Sequence, residues 1–265
     1  MKCFILLLFI CTSLHALDRG IVDSPKTKNS ALLVSAANGL PGLEYDIKNL
    51  EEITTHKSNN FFVKKLQKGK GTASNIAESL FELANDSTKD ATYLFYFTGH
   101  GSKGSILTED KTLRIEQIRQ ALVLGRQNHG PMKRLVFILD SCFSGSLIDP
   151  LRNLKPFALL DSEIASQSML QDVIDIFETR DGEEPLYQSL LAFVSAQSDE
   201  TCLAGSSGSA FTVALKKAWI KGMESGYTIN QLISETKKLT NGSHPAARLV
   251  PSSLGEEKLY VEEVK

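Results

Sequence analysis

The hydrophobic residues of this chain fall into short continuous runs separated by stretches in which apolar positions recur at helical spacing. Short apolar runs rich in β-branched and aromatic residues, closed by small residues, are typical of buried strands. The predicted strands are Ala31–Ala37, Asn60–Val63, one ending near His100, one ending at Asp140, Leu190–Ser195 and Lys258–Val264.

The stretches between these runs predict amphipathic helices. Thr72 or Ser74 is a candidate N-cap for one of them, and Gly125 is a candidate C-terminal stop for another. The predicted apolar positions and ranges are Leu43 to Ile53, Ile76 to Leu83, Ile115 to Leu122, Phe211 to Lys221 and Thr228 to Leu239. Because strands and helices alternate, we predict an α/β fold: a mostly parallel sheet of about six strands with helices on both faces, in three layers.

Two of the apolar runs end in a reactive side chain, His100 after the first and Cys142 after the second. In open α/β sheets, ligands bind beyond the carboxyl ends of the strands, so the two residues are candidates for a base and a nucleophile at one site. Taken singly, His100 could be a turn residue and Cys142 a buried structural thiol. Gly99 and Gly101 favour the catalytic reading, because they remove side-chain bulk where a substrate backbone would approach.

The N-terminus has the pattern of a secretory signal. Lys2 is followed by an apolar stretch from Phe4 to Cys11, and Leu14–Ala16 ends on a small residue suited to cleavage. We predict a signal peptide at residues 1–16 and a secreted or periplasmic protein, with an uncleaved anchor or a lipoprotein anchor at Cys11 as alternatives. The cleaved chain would retain only Cys142 and Cys202, and we expect both thiols to be free.

Length and charge predict one domain without an affinity for nucleic acid. Residues 17–265 fit a single α/β core, in which residues 150–188 form a long functional loop. The formal charge of −2 offers no basic surface for nucleic acid, and the histidines lack the paired spacing of a zinc site.

Three glycine-rich segments look like nucleotide or hydrolase motifs but lack the necessary context. Gly99–Gly104 fits GxGxxG, yet Ser105–Asp110 is predicted to be a loop rather than a helix. Gly69–Thr72 lacks P-loop spacing, and Gly205–Gly208 misses the GxSxG elbow by one position. A dinucleotide site or a serine hydrolase is therefore not predicted.

The residues around His100 and Cys142 resemble the motifs of the caspase-like cysteine peptidases, and among them most closely those of the metacaspases. The resemblance spans most of the chain after the signal. Its segments are Ala31–Ser35, Leu40–Asp46, Phe97–Gly101, Leu139–Gly145, Leu191–Thr201 and Gly208–Thr212. It implies the caspase-like three-layer fold and a cysteine endopeptidase in which Cys142 is the nucleophile and His100 the proton-transfer partner.

Further roles follow from the same resemblance. The backbone N–H groups of Gly101 and Cys142 match the oxyanion donors, and Asp46 and Asp140 match positions that line the pocket for the side chain before the cleaved bond. Paired carboxylates there would favour Arg or Lys, because charge-assisted hydrogen bonds are strong. Singly, Asp140 could be a strand-end turn residue and Asp46 a solvated helix residue.

Calcium and self-cleavage are further expectations. Metacaspases often bind calcium, and Asp149 matches one of the ligands. Between His100 and the next helix only Glu109 and Asp110 could add others, fewer than the six or more oxygens that calcium needs. We therefore expect no required cofactor. Basic residues in the 150–188 loop are candidate sites of activating self-cleavage: Arg152, Lys155 and Arg180.

Two alternatives remain open at this point. One is a catalytically silent caspase-like module that binds or scaffolds, which would be expected to have lost His100 or Cys142. The other is a legumain-like peptidase of the same broad fold with different pocket chemistry. In either enzymatic case the partner is a peptide or protein substrate, and we expect the chain to be a monomer without a membrane span after signal removal.

Overall fold

The computed structural model describes residues 29–36, 40–57, 59, 61–102, 104–143, 173, 176–177, 185–195, 207–240 and 245–258. The strands are β1 (Ser30–Ser35), β2 (Phe62–Leu66), β3 (Thr92–Ser102), β4 (Ser105–Leu107), β5 (Thr112–Arg114), β6 (Met132–Phe143), β7 (Tyr187–Val194) and β8 (Ala246–Val250). The α-helices are α1 (Leu43–Thr54), α2 (Ala73–Asp86), α3 (Ile115–Arg126), α4 (Ala210–Ser225) and α5 (Ile229–Leu239), and a 3-10 helix spans Ser252–Glu256.

The main sheet has the order β2-β1-β3-β6-β7-β8. Neighbouring strands are parallel from β2 through β7, and β8 pairs antiparallel with β7 at the edge. The predicted mostly parallel sheet of about six strands with flanking helices is confirmed. The short strands β4 and β5 form a hairpin that pairs antiparallel with the end of β3.

Two apolar layers hold the helices against the sheet. One face of β3 and β6, with Phe95 and Phe137 stacked at 5.1 Å, packs against α2 and α3. The other face, which includes Tyr96 and Ile138, packs against α1, α4 and α5. Because the central strands are covered on both faces, they read in the sequence as continuous apolar runs rather than alternating ones.

The predicted loop of residues 150–188 is described only in part. Phe177 is buried, and its ring lies 5.0 Å from that of Phe137. Tyr187, which the prediction placed in the loop, begins β7 and donates a hydrogen bond to the carbonyl of Phe177 at 2.9 Å. The last two residues of the predicted loop therefore belong to β7.

Several local predictions were wrong. Ser105–Leu107 is a strand rather than a loop, because it pairs with β3. The sixth strand of the main sheet is Ala246–Val250 rather than Lys258–Val264; Lys258 forms only an isolated bridge with Thr228, and residues 259–265 lie outside the described part. An edge strand of five residues is too short to show a clear period.

Gly125 does not end its helix as predicted but lies inside α3. A Cβ at this position would come within 2.5 Å of the carbonyl oxygen of Phe81 and 2.9 Å of the Cβ of Ala84, both on α2. The glycine therefore permits a close approach of two helices, a tertiary requirement that sequence pattern cannot distinguish from a C-terminal stop.

Within the described residues, no helix combines the length and hydrophobicity needed to cross a membrane.

Candidate active site

The two residues predicted to form the dyad lie opposite each other on adjacent parallel strands. His100 of β3 is in register with Cys142 of β6, and neighbouring strands run about 4.8 Å apart. The first strand ends near His100 as predicted, at Ser102, whereas the prediction that the second ends at Asp140 was wrong, since β6 continues to Phe143. The sheet ladder itself therefore brings the two backbones together.

The His100 imidazole is partly exposed, but its Nδ1 atom is buried. Among the described residues, Nδ1 has no hydrogen-bond partner. Burial of an unpaired polar atom is unfavourable unless a partner is supplied, so this nitrogen is a point at which a neighbouring group or a substrate can bind.

Gly99 has a different role from the one predicted. Its φ of +152° is rarely adopted by residues with a side chain, and a Cβ there would lie 2.9 Å from the carbonyl oxygen of Ala36. The missing side chain thus makes room for the chain that leaves β1, not for a substrate. Gly101 follows in β3, buried, in register with Phe143 on one side and Ile106 on the other.

The Asp140 carboxyl group is buried at the end of β6, two residues before Cys142. Its Oδ1 accepts a hydrogen bond from Ser195 Oγ at 2.8 Å. Its Oδ2 accepts from Thr212 Oγ1 at 2.6 Å and from the Ser209 hydroxyl, with Tyr96 OH at 3.4 Å. Four hydroxyl groups, from β3, from α4, from the N-cap of α4 and from the residue after β7, therefore converge on this carboxyl group.

Asp46 lies in the first turn of α1 and has no exposed surface. Its Oδ1 accepts a hydrogen bond from the Ser209 backbone N–H at 2.6 Å, and its Oδ2 accepts from Thr98 Oγ1 at 3.0 Å. Thr98 is in register with Asp140. The structure thus brings the two predicted pocket carboxyl groups together, and the alternative of a solvated helix residue is wrong for Asp46.

Burial and mutual repulsion change the protonation of this pair. Loss of hydration, followed by the charge of Asp140, raises the pKa of Asp46 to about 8. Burial also raises the pKa of Asp140, against the opposing effect of its hydroxyl donors. At neutral pH the pair therefore favours retention of a proton on Asp46.

Sequence reasoning missed the residues that bind these carboxyl groups. Ser209 is the N-cap of α4, with its side chain accepting from Thr212 N at 3.0 Å, so one residue caps a helix and contacts both acids. Gly208, with φ of +101°, is needed because a Cβ there would collide with Asp46 Oδ1. The available signal was the cap pattern of Ser209 and Thr212 in front of an apolar helix.

Two of the carboxylates that were considered as calcium ligands, Glu109 and Asp110, accept hydrogen bonds from backbone amides. Glu109 accepts hydrogen bonds from the N–H groups of Gly69 and Gly71, and Asp110 accepts from Ala73 N–H at 2.8 Å. No group of three or more His, Cys, Asp or Glu side chains suited to a metal occurs within the described ranges. Asp149 lies outside them.

Other predictions also fall on residues outside the described part. They concern the signal peptide at residues 1–16, the free thiol of Cys202 and the candidate cleavage sites Arg152, Lys155 and Arg180. For Cys142 the description covers the backbone.

The fold agrees with a comparison with known families. The model of the Caspase domain matches residues 28–252, which include every residue of the site described above. This chain belongs to the caspase-domain family.

Solved structures show the same fold at low sequence identity. A protein from Geobacter sulfurreducens is 15% identical, with a TM-score of 0.61, over 89% of this chain and 99% of that one. Caspase-1 from Spodoptera frugiperda is 13% identical, with a TM-score of 0.50, over 84% of this chain and 86% of the caspase. A comparison with curated protein sequences finds no match. The caspase-domain membership gives this chain a cysteine-peptidase fold.

Proposed function

We propose that this caspase-domain protein is a cysteine endopeptidase that uses Cys142 as nucleophile and His100 as proton-transfer partner. The observation that carries the proposal is the register of the two residues on adjacent strands. A base beside a thiol lowers the thiol pKa and gives the nucleophilic thiolate. The buried Nδ1 of His100 supplies a nitrogen that can hold the transferred proton.

The reaction would proceed in two steps. The Cys142 thiolate attacks the scissile carbonyl carbon, a C–S bond forms, and the C–N bond breaks as protonated His100 gives its proton to the leaving amine. Water, deprotonated by His100, then attacks the thioester and releases the carboxyl product and the thiolate. The C–S bond breaks in the second step, and the proton that His100 takes from water replaces the one it gave to the amine, so the full cycle restores the starting protonation of the enzyme.

The backbone N–H groups of Gly101 and Cys142 are the proposed oxyanion donors. Both residues lie at the same end of neighbouring strands. Fixed donors of this kind contribute about two to three powers of ten to the rate, because they stabilise charge that develops only in the transition state.

The proposed specificity is for Arg or Lys before the cleaved bond, as in the metacaspases. Asp140 lies two residues before Cys142, and Thr98, which donates to Asp46, lies two residues before His100. Asp46 accepts its hydrogen bonds from an amide and a hydroxyl, neither of which is charged. A cationic side chain would complement the pair and offset the cost that raises the pKa of Asp46.

Fluorogenic peptides that differ only in Arg, Lys or Asp before the reporter test both parts of the proposal. We expect release after Arg and Lys, little after Asp, and none with Cys142→Ala. Preferential release after Asp would refute the pocket assignment while leaving the peptidase intact, and release after Asn would favour the legumain-like alternative. Asp140→Asn should lower kcat/KM for Arg peptides more than Asp90→Asn, which changes an exposed acid outside the site.

Covalent labelling distinguishes an active peptidase from the catalytically silent scaffold. An electrophilic peptide carrying Arg should form an adduct at Cys142 under reducing conditions, and the adduct should be lost in His100→Ala. A folded protein that forms no adduct would favour the scaffold. We further propose that the enzyme is a secreted or periplasmic monomer without a required cofactor; omission of calcium should leave its activity unchanged.

A further inference from the structure

We propose that Glu109 and Asp110 position the oxyanion-binding end of β3. We call these two residues the carboxylate clip. This inference rests on the proposed peptidase function and assigns a role to two acidic residues outside the proposed dyad.

The clip joins two segments that are distant in the sequence. Glu109 Oε1 accepts from Gly69 N–H at 3.0 Å, its Oε2 accepts from Gly71 N–H at 3.1 Å, and its own N–H donates to the carbonyl of Gly71 at 3.0 Å. Asp110 Oδ1 accepts from Ala73 N–H at 2.8 Å and from Thr108 Oγ1 at 2.8 Å. The turn of the β4–β5 hairpin is thereby fixed to the segment that leads into α2.

The loop that the clip holds lies close against the main sheet. A Cβ on Gly71 would lie 2.7 Å from the carbonyl oxygen of Ser35, at the end of β1. The clip therefore holds the hairpin turn close to β1 and α2, two elements of the core.

The other side of the hairpin reaches the proposed oxyanion site. In β4, Ile106 pairs with Gly101 and Ser105 pairs with Ser102. Burial of Ile106 and Leu113 holds the body of the hairpin, whereas the clip fixes the turn that follows β4. Since Ile106 is three residues from Glu109, displacement of the turn is transmitted to the strand that pairs with Gly101.

The hydrogen-bond geometry provides matched variants. Glu109 uses both carboxylate oxygens, so Glu109→Gln must lose one of its two side-chain bonds and Glu109→Ala loses both. Asp110 uses only Oδ1 for both bonds, so Asp110→Asn can keep them, whereas Asp110→Ala cannot. Glu78→Gln, at an exposed position on α2, is the control for loss of one negative charge.

The test measures peptide hydrolysis per active site, with active sites counted by titration with an irreversible peptide inhibitor. We expect Glu109→Ala to lower kcat about tenfold with KM within twofold, a fraction of what loss of an oxyanion donor costs. The kcat of Glu109→Gln should lie between those of Glu109→Ala and wild type. Asp110→Asn should restore most of the kcat lost in Asp110→Ala, and Glu78→Gln should match wild type.

Alkylation of Cys142 by iodoacetamide separates positioning of the oxyanion site from damage to the dyad. Alkylation forms no oxyanion, so its rate should stay within twofold of wild type in every clip variant. If Glu109→Ala does not fold, Glu109→Gln carries the same test. An unchanged kcat per titrated site, or an alkylation rate that falls in parallel with kcat, would overturn the positioning role alone. A wild-type protein that hydrolyses no peptide would overturn the proposed function and this inference with it.

Discussion

Asp46 and Asp140 are joined by a single residue: the Ser209 N–H donates to Asp46 Oδ1 at 2.6 Å, and the Ser209 hydroxyl donates to Asp140 Oδ2. The two acids lie on α1 and β6, and Ser209 is the N-cap of α4. One helix cap therefore sets the relative position of the two carboxyl groups that we assign to substrate selection.

Ser209→Ala should destabilise the protein more than loss of an ordinary helix cap. It removes the acceptor for Thr212 N–H and a donor to a buried carboxyl group, which together cost about 2–4 kcal/mol. Thr228→Ala is the matched control, because Thr228 caps α5 with a more exposed bond and its loss costs about 1 kcal/mol. Urea unfolding of both variants measures the difference, and equal losses would contradict the role of the buried contact.

Asp46→Asn should flatten the pH dependence of stability. Burial and Asp140 raise the pKa of Asp46 from 3.8 to about 8, so the folded protein holds this proton more tightly than the unfolded chain. The contribution to the free energy of unfolding is fully present below about pH 4 and is lost as pH rises to about 8. Asn imitates the protonated acid and does not titrate. The free energy of unfolding of Asp46→Asn should therefore fall less than that of wild type as pH rises from about 4 to about 8.

Urea unfolding at pH 5 and pH 8 measures this difference. Asp90→Asn, an exposed acid outside the site, should retain the full wild-type dependence. A pH dependence in Asp46→Asn as steep as in wild type would contradict the raised pKa of the buried acid.

Self-cleavage is expected at basic residues between 150 and 188. Because the proposed pocket accepts Arg or Lys, Arg152, Lys155 and Arg180 are the expected sites in wild-type protein. Mass spectrometry of the purified chain should show cuts after one or more of them, and none in Cys142→Ala. Identical cuts in both proteins would point to a different protease.

The elements that sequence predicted well were those whose pattern is local. The buried strands β1, β3, β6 and β7 appeared as apolar runs, because both faces of the central sheet are covered. The end of β6 was placed too early, because Ser141 looks like a turn residue although it continues the ladder with β3. The β4–β5 hairpin was missed, because its two strands of three residues each are too short to show a clear period.

The sequence by itself determined the fold class and the two residues proposed for catalysis. Each of these two residues follows an apolar run, and that pattern is visible in a few adjacent residues. Only the tertiary structure decided which role each acidic residue has. Asp46 and Asp140 form a buried pair around Ser209, whereas Glu109 and Asp110 accept hydrogen bonds from backbone amides. The physical reason is that protonation and hydrogen bonding of a carboxyl group depend on burial and on donors from distant segments, which no local pattern records.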